Sequence, residues 1–252
     1  MGTLWEKTYK GSHYEVRAAG QTRRLYTDGV FHSQYHPGRA LAGGIWDLLM
    51  LPVFFRPGLA FRRVLVLGVG GGTVLHQLRQ YAEVEEILGV ELSPLHLEVA
   101  RRYFDVERCD AELYQAEARQ WLNDYSGPKF DLIIEDLFAE QDGEPVRAIP
   151  ADKAWFKMLT KNLTRDGMLV MNFIGRRTLR ECAWFNEPAL RKALPGGHQF
   201  TLPAFENYIA CFQRRPASGK ALRKRLESEP KLAREISRGN FNFTVRRLVP
   251  GR

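Results

Sequence analysis

Four glycines follow a short apolar run in Val64-Leu65-Val66-Leu67-Gly68-Val69-Gly70-Gly71-Gly72-Thr73. Glycine lets a backbone lie close against a ligand, and Val74, Leu75 and Leu78 then resume at helical spacing, so free N–H groups of a helix N-terminus follow the turn. Carboxylates recur downstream: Glu91, 19 residues after Gly72, Glu117 in Gln115-Ala116-Glu117-Ala118, and Asp136 in Asp131-Leu132-Ile133-Ile134-Glu135-Asp136. The first can accept both hydroxyls of a ribose, the second the amino group of an adenine, and the third would stand at the reactive end of the ligand. Each alone is also an ordinary helix cap. Three in register with a glycine turn predict a nucleoside site, with Gly68, Gly70, Gly71, Gly72, Glu91, Glu117 and Ala118 around the nucleoside and Asp136 as the catalytic group.

Strands must carry those groups. Val64–Leu67, Glu86–Val90, Glu112–Gln115, Phe130–Ile134 and Met168–Phe173 read as strands. Helical stretches separate them, such as Leu95 to Phe104 with Leu95, Val99 and Tyr103 on one face. This alternation predicts an α/β domain with a parallel sheet, whose ligands sit at the carboxyl ends of the strands. A helix is expected from Leu179 to Ala193, a break at Pro195-Gly196-Gly197, and an antiparallel hairpin of Gln199–Leu202 and Tyr208–Phe212 at the sheet edge. Upstream, His13–Arg17, Arg24–Tyr26 and Val30–His32, with the turn at Asp28-Gly29, predict antiparallel strands over residues 13–36. Leu41, Ile45, Leu48 and Leu49 predict a helix closed by Pro52. Three units follow: a β-hairpin unit and helix over 1–60, the nucleoside-binding domain over 61–213, and a basic helical extension over 214–252.

The 252 residues, 44% hydrophobic and 26% charged, have the balance of an ordinary soluble protein. The longest apolar run, Ile45 to Phe55, is interrupted by Asp47 and Pro52 and falls short of the roughly 20 residues of a membrane span. The first residues lack the basic-then-apolar layout of a signal peptide. Cys109, Cys182 and Cys211 match neither a metal spacing nor a disulfide framework, so a reducing cytoplasm and no metal are expected. From Arg214 onward twelve Lys/Arg face three Glu, so the +8 of the chain is a tail of +9 on a body of −1. Such a tail can touch nucleic acid. The favoured reading is a solvated amphipathic helix, with Leu222, Leu226, Leu232 and Ile236 on its apolar side.

The sixth position of the glycine motif is Thr73, which does not fit the nicotinamide fingerprint G-x-G-x-x-G. Gly68-x-Gly70-x-Gly72 instead resembles the first motif of class I S-adenosylmethionine-dependent methyltransferases. With Gly89-Val90-Glu91-Leu92-Ser93-Pro94, Val99 to Phe104, Ala116-Glu117-Ala118-Arg119-Gln120-Trp121-Leu122, Leu25-Tyr26-Thr27-Asp28-Gly29-Val30 and Asp166 to Asn172, the chain resembles the spermidine synthase family from about Tyr14 to Phe212. The resemblance implies a Rossmann-like class I methyltransferase fold, mostly parallel with an antiparallel edge hairpin and preceded by a small β-hairpin unit. It also implies an S-adenosyl donor, a small-molecule acceptor and, as in relatives of this fold, a homodimer. His32 and Tyr35, in the hairpin that covers the substrate in that family, are the candidate substrate residues.

The departures from the family carry chemistry. Its glycine turn usually holds an acid that meets the amine of decarboxylated S-adenosylmethionine, and here that position is Gly71. Its strand-four pair of aspartates is reduced to Asp136, the second falling on Ala139 with Glu140, Asp142 and Glu144 out of register. Its Tyr-His pair falls near Gly44-Ile45. An amine must be neutral to attack, and its free pKa is about 10.4, so a carboxylate is needed to hold and deprotonate it. One aspartate under-equips the site for a dication. The sequence therefore favours intact S-adenosylmethionine and methyl transfer to a small molecule, which relies on in-line placement. The alternative is a spermidine synthase-type aminopropyltransferase of polyamine biosynthesis using the decarboxylated donor. The third reading is a non-catalytic nucleoside- or nucleic-acid-binding protein.

Overall fold

The computed structural model describes residues 2–141 and 143–250. Asp142, one of the acids after Asp136, lies outside the described residues.

Four strands open the chain: β1 (Gly2–Tyr9), β2 (Ser12–Ala19), β3 (Thr22–Thr27) and β4 (Val30–Tyr35), an antiparallel sheet in sequence order. The sequence does not announce β1, because almost every residue in it is exposed and no alternation marks a buried face. Helix α1 (Ile45–Met50) is buried on all sides and continues into a short 3₁₀ segment, Leu51–Phe55. It starts at Ile45, leaving Leu41 outside, because the preceding loop is tied to the Asp47 carboxylate. That group accepts the Ala42, Gly43 and Gly44 N–H groups at 2.8, 2.8 and 3.2 Å.

The main domain alternates as expected: β5 (Ala60–Leu67), α2 (Thr73–Tyr81), β6 (Glu83–Glu91), α3 (Pro94–Tyr103), β7 (Ala111–Gln115), α4 (Ala118–Asp124) and β8 (Phe130–Glu135). A small hairpin, β9 (Phe138–Gln141) and β10 (Glu144–Arg147), then precedes α5 (Lys153–Lys161) and β11 (Leu163–Ile174). The expected helix over 179–193 is three pieces, α6 (Arg176–Glu181), α7 (Ala183–Asn186) and α8 (Pro188–Ala193). Extended backbone at Cys182 and Glu187 separates them. Strands β12 (Gly196–Thr201) and β13 (Asn207–Gln213), helices α9 (Gly219–Ser228) and α10 (Pro230–Ser237), and β14 (Thr244–Arg247) complete the chain. Gly196 and Gly197 begin a strand and do not break the chain.

The large sheet runs β14-β12-β13-β11-β8-β5-β6-β7. Its parallel part is β11 to β7, and β13, β12 and β14 are added antiparallel. The Rossmann-like α/β fold implied by the resemblance is the fold observed. Alternation along β5 sends Val64 and Val66 into one core layer with α1 and α2, and Leu65 and Leu67 into the other with Trp155 and Phe156 of α5. The predicted β12–β13 hairpin forms, but the outermost strand is β14, drawn from the basic tail.

The apolar side of the tail is buried. Leu222, Leu226, Leu232, Phe241 and Phe243 join the core layer of Val64 and Val66, and Arg225 donates to the Phe54 and Phe55 carbonyls at 2.9 and 3.1 Å. Among the described residues no helix is long and apolar enough to cross a membrane.

Candidate functional site

The glycine turn lies where β5 meets the ends of its neighbours. The Gly68 N–H donates to the Val90 carbonyl at 2.9 Å, and the Asp136 N–H to the Leu67 carbonyl at 2.8 Å. A Cβ on Gly68 would overlap the Asp136 carbonyl, and its φ of +86° also requires glycine. Gly71 has an ordinary φ but no free space. Its N–H donates to Ser33 Oγ at 2.7 Å, and a Cβ there would stand 2.7 Å from the Phe104 ring and 2.9 Å from Ser33 Cβ. The acid absent from the turn thus has no vacancy in this packing: β4 and Phe104 close the position.

Glu91 ends β6 and holds the turn. Its Oε2 accepts the Val69 and Gly70 N–H groups at 3.0 and 2.9 Å. Its Oε1 accepts the Ser93 N–H at 2.9 Å and lies 3.6 Å from His96 Nδ1. Burial alone would raise its pKa, but His96 and the backbone donors outweigh it and hold the carboxyl at about 2. His96 Nε2 is 2.9 Å from Thr27 Oγ1, and the His32 ring stacks obliquely on His96 at 4.9 Å. Burial, helped by His96, keeps His32 neutral with a pKa of about 3. Its Nε2 is shut off from solvent and has no hydrogen-bond partner.

Glu117 caps α4, accepting the Arg119 and Gln120 N–H groups at 3.0 and 2.8 Å, while Ala118 behind it is buried. Asp136 follows β8. Its Oδ1 accepts from Asn172 Nδ2 at 2.8 Å, and burial pushes its pKa up to about 6 although Asn172 and the charge of Arg147 pull the other way. The adjacent Glu135 is fully buried, and burial raises its pKa against the opposing effect of Arg147. Arg147 donates to both its oxygens at 2.8 and 2.9 Å, donates also to the Asn172 carbonyl, and lies over the Phe173 ring. This charge-assisted contact, in which Nη2 reaches both carboxylate oxygens, ties the β9–β10 hairpin to the strand ends.

A cavity of about 690 Å³ opens between these parts. Gly68, Gly70, Glu91, Glu117, Ala118, Asp136 and His32 all line it, so most of the predicted site residues meet in one place. Gly71 and Gly72 lie behind the wall. Tyr35 stands apart, stacked on His76 at 4.4 Å with its hydroxyl on Asp105. The β3–β4 register skips His32, so a bulge there breaks the alternation of β4: Phe31 and His32 both line the cavity, and Tyr35 does not. Trp46 stands in the wall near the Gly44-Ile45 position, and Phe31 and Phe138 add apolar surface.

Sequence reasoning missed Ser33, His96, Glu206, Asn172 and Asn207. Asn172 had a readable signal, as the lone polar residue of Met168-Leu169-Val170-Met171-Asn172-Phe173-Ile174. Glu206 had none. The lining includes five carboxylates, Glu91, Glu117, Asp136, Glu144 and Glu206, and among the described residues no lysine or arginine. The expected shortage of acid is therefore removed by β10 and by the β12–β13 link. No group of histidine, cysteine and acid residues among the described residues has the arrangement of a metal site.

Residues 47–219 match the spermine/spermidine synthase domain. A probable polyamine aminopropyl transferase of Bifidobacterium longum is 32% identical over 111 residues, 43% of this chain and 23% of that protein. A ribosomal protein L11 methyltransferase of Thermosipho africanus is 29% identical over 152 residues, 58% of this chain and 52% of that protein. The matches thus span about a quarter and about half of these two curated relatives. Among solved structures, a probable spermidine synthase from Corynebacterium glutamicum superposes with a TM-score of 0.67 at 17% identity, covering 90% of this chain and 86% of that one, which is a likeness of fold.

Proposed function

We propose, from the premise that the chain belongs to the spermine/spermidine synthase domain family, that it is a transferase moving an aminopropyl group from a decarboxylated S-adenosylmethionine-type donor to a small amine. The observation that carries this reading is the cavity itself. In a protein of net charge +8, one cavity gathers five carboxylates and, among the described residues, no lysine or arginine. Such a lining favours cations, and both a sulfonium donor and an ammonium acceptor are cations.

The donor suits the residues present. Gly68 and Gly70 present bare backbone to the cavity, and Glu117 and Ala118 line the wall on the side expected for the adenine. A bound sulfonium supplies the electrophilic carbon. Asp136 holds the acceptor ammonium and takes its proton. An ordinary carboxyl would be a poor acceptor for a proton of pKa about 10.4, and raising Asp136 from 3.8 to about 6 narrows that gap by about 3 kcal/mol. The amine lone pair then forms the new C–N bond as the C–S bond breaks, sulfur keeps the electron pair as a neutral thioether, and the proton leaves through Asp136 to solvent.

A second reading rests on Gly71. With no room for an acid in the turn, the tail of the donor lacks a carboxylate partner there, which suits the carboxylate of intact S-adenosylmethionine and favours methyl transfer.

Incubation with decarboxylated S-adenosylmethionine and putrescine should release methylthioadenosine and spermidine, and Asp136→Asn should lower kcat by about 10²- to 10⁴-fold. S-adenosylhomocysteine formed from the intact donor, with no methylthioadenosine from the other, would replace the first reading by the second.

A further inference from the structure

Three polar side chains stand in file across neighbouring strands at the carboxyl end of the sheet. Asp136 follows β8, Asn172 lies in β11, and Asn207 opens β13. Asn207 Nδ2 is 3.0 Å from Asn172 Oδ1, and Asn172 Nδ2 is 2.8 Å from Asp136 Oδ1. Asn172 is 2% exposed, so neither end of its amide can turn to water. The polarity of the file follows from its end. An ionised carboxylate can only accept, so Asn172 must present its NH₂ to Asp136 and its carbonyl to Asn207. Asn207 must then donate in its turn.

Asp136 has no other side-chain donor among the described residues. Arg147, the near cation, is committed to both Glu135 oxygens and to the Asn172 carbonyl. The remaining charged neighbours, Glu135 in β8 and Glu91 in β6, are acids, as are the cavity residues Glu117, Glu144 and Glu206. A carboxylate with one near cation, Arg147, and one direct side-chain donor among the described residues, a neutral amide, depends on which way that amide faces. If Asp136 takes a proton it becomes a donor. The file can then reverse, with the Asn172 carbonyl turned to Asp136 and its NH₂ to the Asn207 carbonyl.

We propose that Asn207 is a positioning residue that acts through Asn172, holding it in the orientation that donates to Asp136 and so keeping Asp136 an ionised acceptor facing the cavity. The consequence for turnover rests on the proposed role of Asp136 as the group that receives the amine's proton. The file itself does not.

The test is a ¹³C NMR titration of the Asp136 carboxyl in the full chain, its signal identified by loss in Asp136→Asn. Asn172→Leu removes the donor and should raise the midpoint by about one pH unit, the size of one lost hydrogen bond to a charged group. Asn207→Asp offers Asn172 only acceptors, so the amide is drawn away and the midpoint should also rise. Part of that rise is the new charge, which Asn172→Leu/Asn207→Asp isolates because no amide is left to turn. The expected result is a larger shift from Asn207→Asp when Asn172 is present than when it is absent, by about half a unit or more. Equal shifts in the two backgrounds overturn the proposal. Asn207→Leu, at a half-buried position, gives an independent arm: it should shift the midpoint upward by less than Asn172→Leu, and no shift at all also counts against the file. Thermal unfolding of each variant confirms that a folded protein was titrated. Since no substrate is used, failure to find transfer products would leave this result standing, and transfer with equal shifts would overturn this inference alone.

Discussion

Glu91 Oε2 accepts the Gly70 N–H at 2.9 Å, so the acid at the end of one strand fixes the glycine turn at the end of the next. A ribose approaching Glu91 therefore meets a carboxylate that already has protein partners on both oxygens.

That tie sets an acid limit on stability. The folded pKa of Glu91 is about 2, against an ordinary 4.5 in the unfolded chain. Its contribution is complete above about pH 4.5 and is lost as pH falls towards 2, on the order of 3 kcal/mol in all. Urea unfolding from pH 5 to pH 3 should show a shallower decline in Glu91→Gln than in the wild type. An identical pH slope in the two proteins would falsify the assignment.

His32 acts in a different window. Its folded pKa is about 3 and its unfolded value about 6.5, so the unfolded chain takes up the proton first. Stability thus falls as pH drops below 6.5, by about 2 kcal/mol between pH 7 and pH 5. His32→Leu should flatten that interval while leaving the decline below pH 4.5 in place. A wild-type protein equally stable at pH 7 and pH 5 is inconsistent with a neutral, enclosed His32.

Restoring an acid to the glycine turn should be costly. Gly71→Asp places a side chain against Phe104, which is fully buried, and Ser33, and should destabilise the protein by about 1–3 kcal/mol. Phe104→Ala should make the same change less costly, measured as a double-mutant cycle in denaturant. Additive losses would mean that Phe104 is not what closes the position.

The basic tail should behave as part of the core. Leu226 is 1% exposed and packs in the layer of Val64 and Val66, so Leu226→Ala should lower the unfolding free energy by about 2–5 kcal/mol. Lys224→Ala, on the same helix, serves as the exposed control and should change it by less than about 0.5 kcal/mol. Two similar small effects would return the tail to the status of a loosely attached helix.

Much of the architecture could be read directly. The run Val64–Leu67 followed by glycines, the helical spacing of Leu95, Val99 and Tyr103, and the carboxylates at successive strand ends are local patterns, and local patterns survive folding. They led to the parallel sheet and to a single cavity shared by Gly68, Glu91, Glu117 and Asp136. Strand β1 escaped because its exposed residues have no face to bury. The helix over 179–193 is broken by extended backbone at Cys182 and at Glu187, the latter immediately before Pro188. Tyr35 was grouped with His32 through the family's substrate-covering hairpin, but beyond the bulge at His32 it packs on His76 and Asp105 instead of the cavity.

What the sequence determined alone was the order of strands and helices, the glycine turn and the placing of acids at strand ends, because each depends on residues a few positions apart. Tertiary structure decided the character of the site. Glu206 and Glu144 reach the cavity from the β12–β13 link and the β9–β10 hairpin, Ser33 and Phe104 close the space at Gly71, and Asn207 meets Asp136 through Asn172. Each of those direct contacts joins residues more than 30 positions apart in the chain, and no local pattern specifies them. They depend on which elements pack side by side and on which hydrogen-bond polarity a buried amide is forced to take.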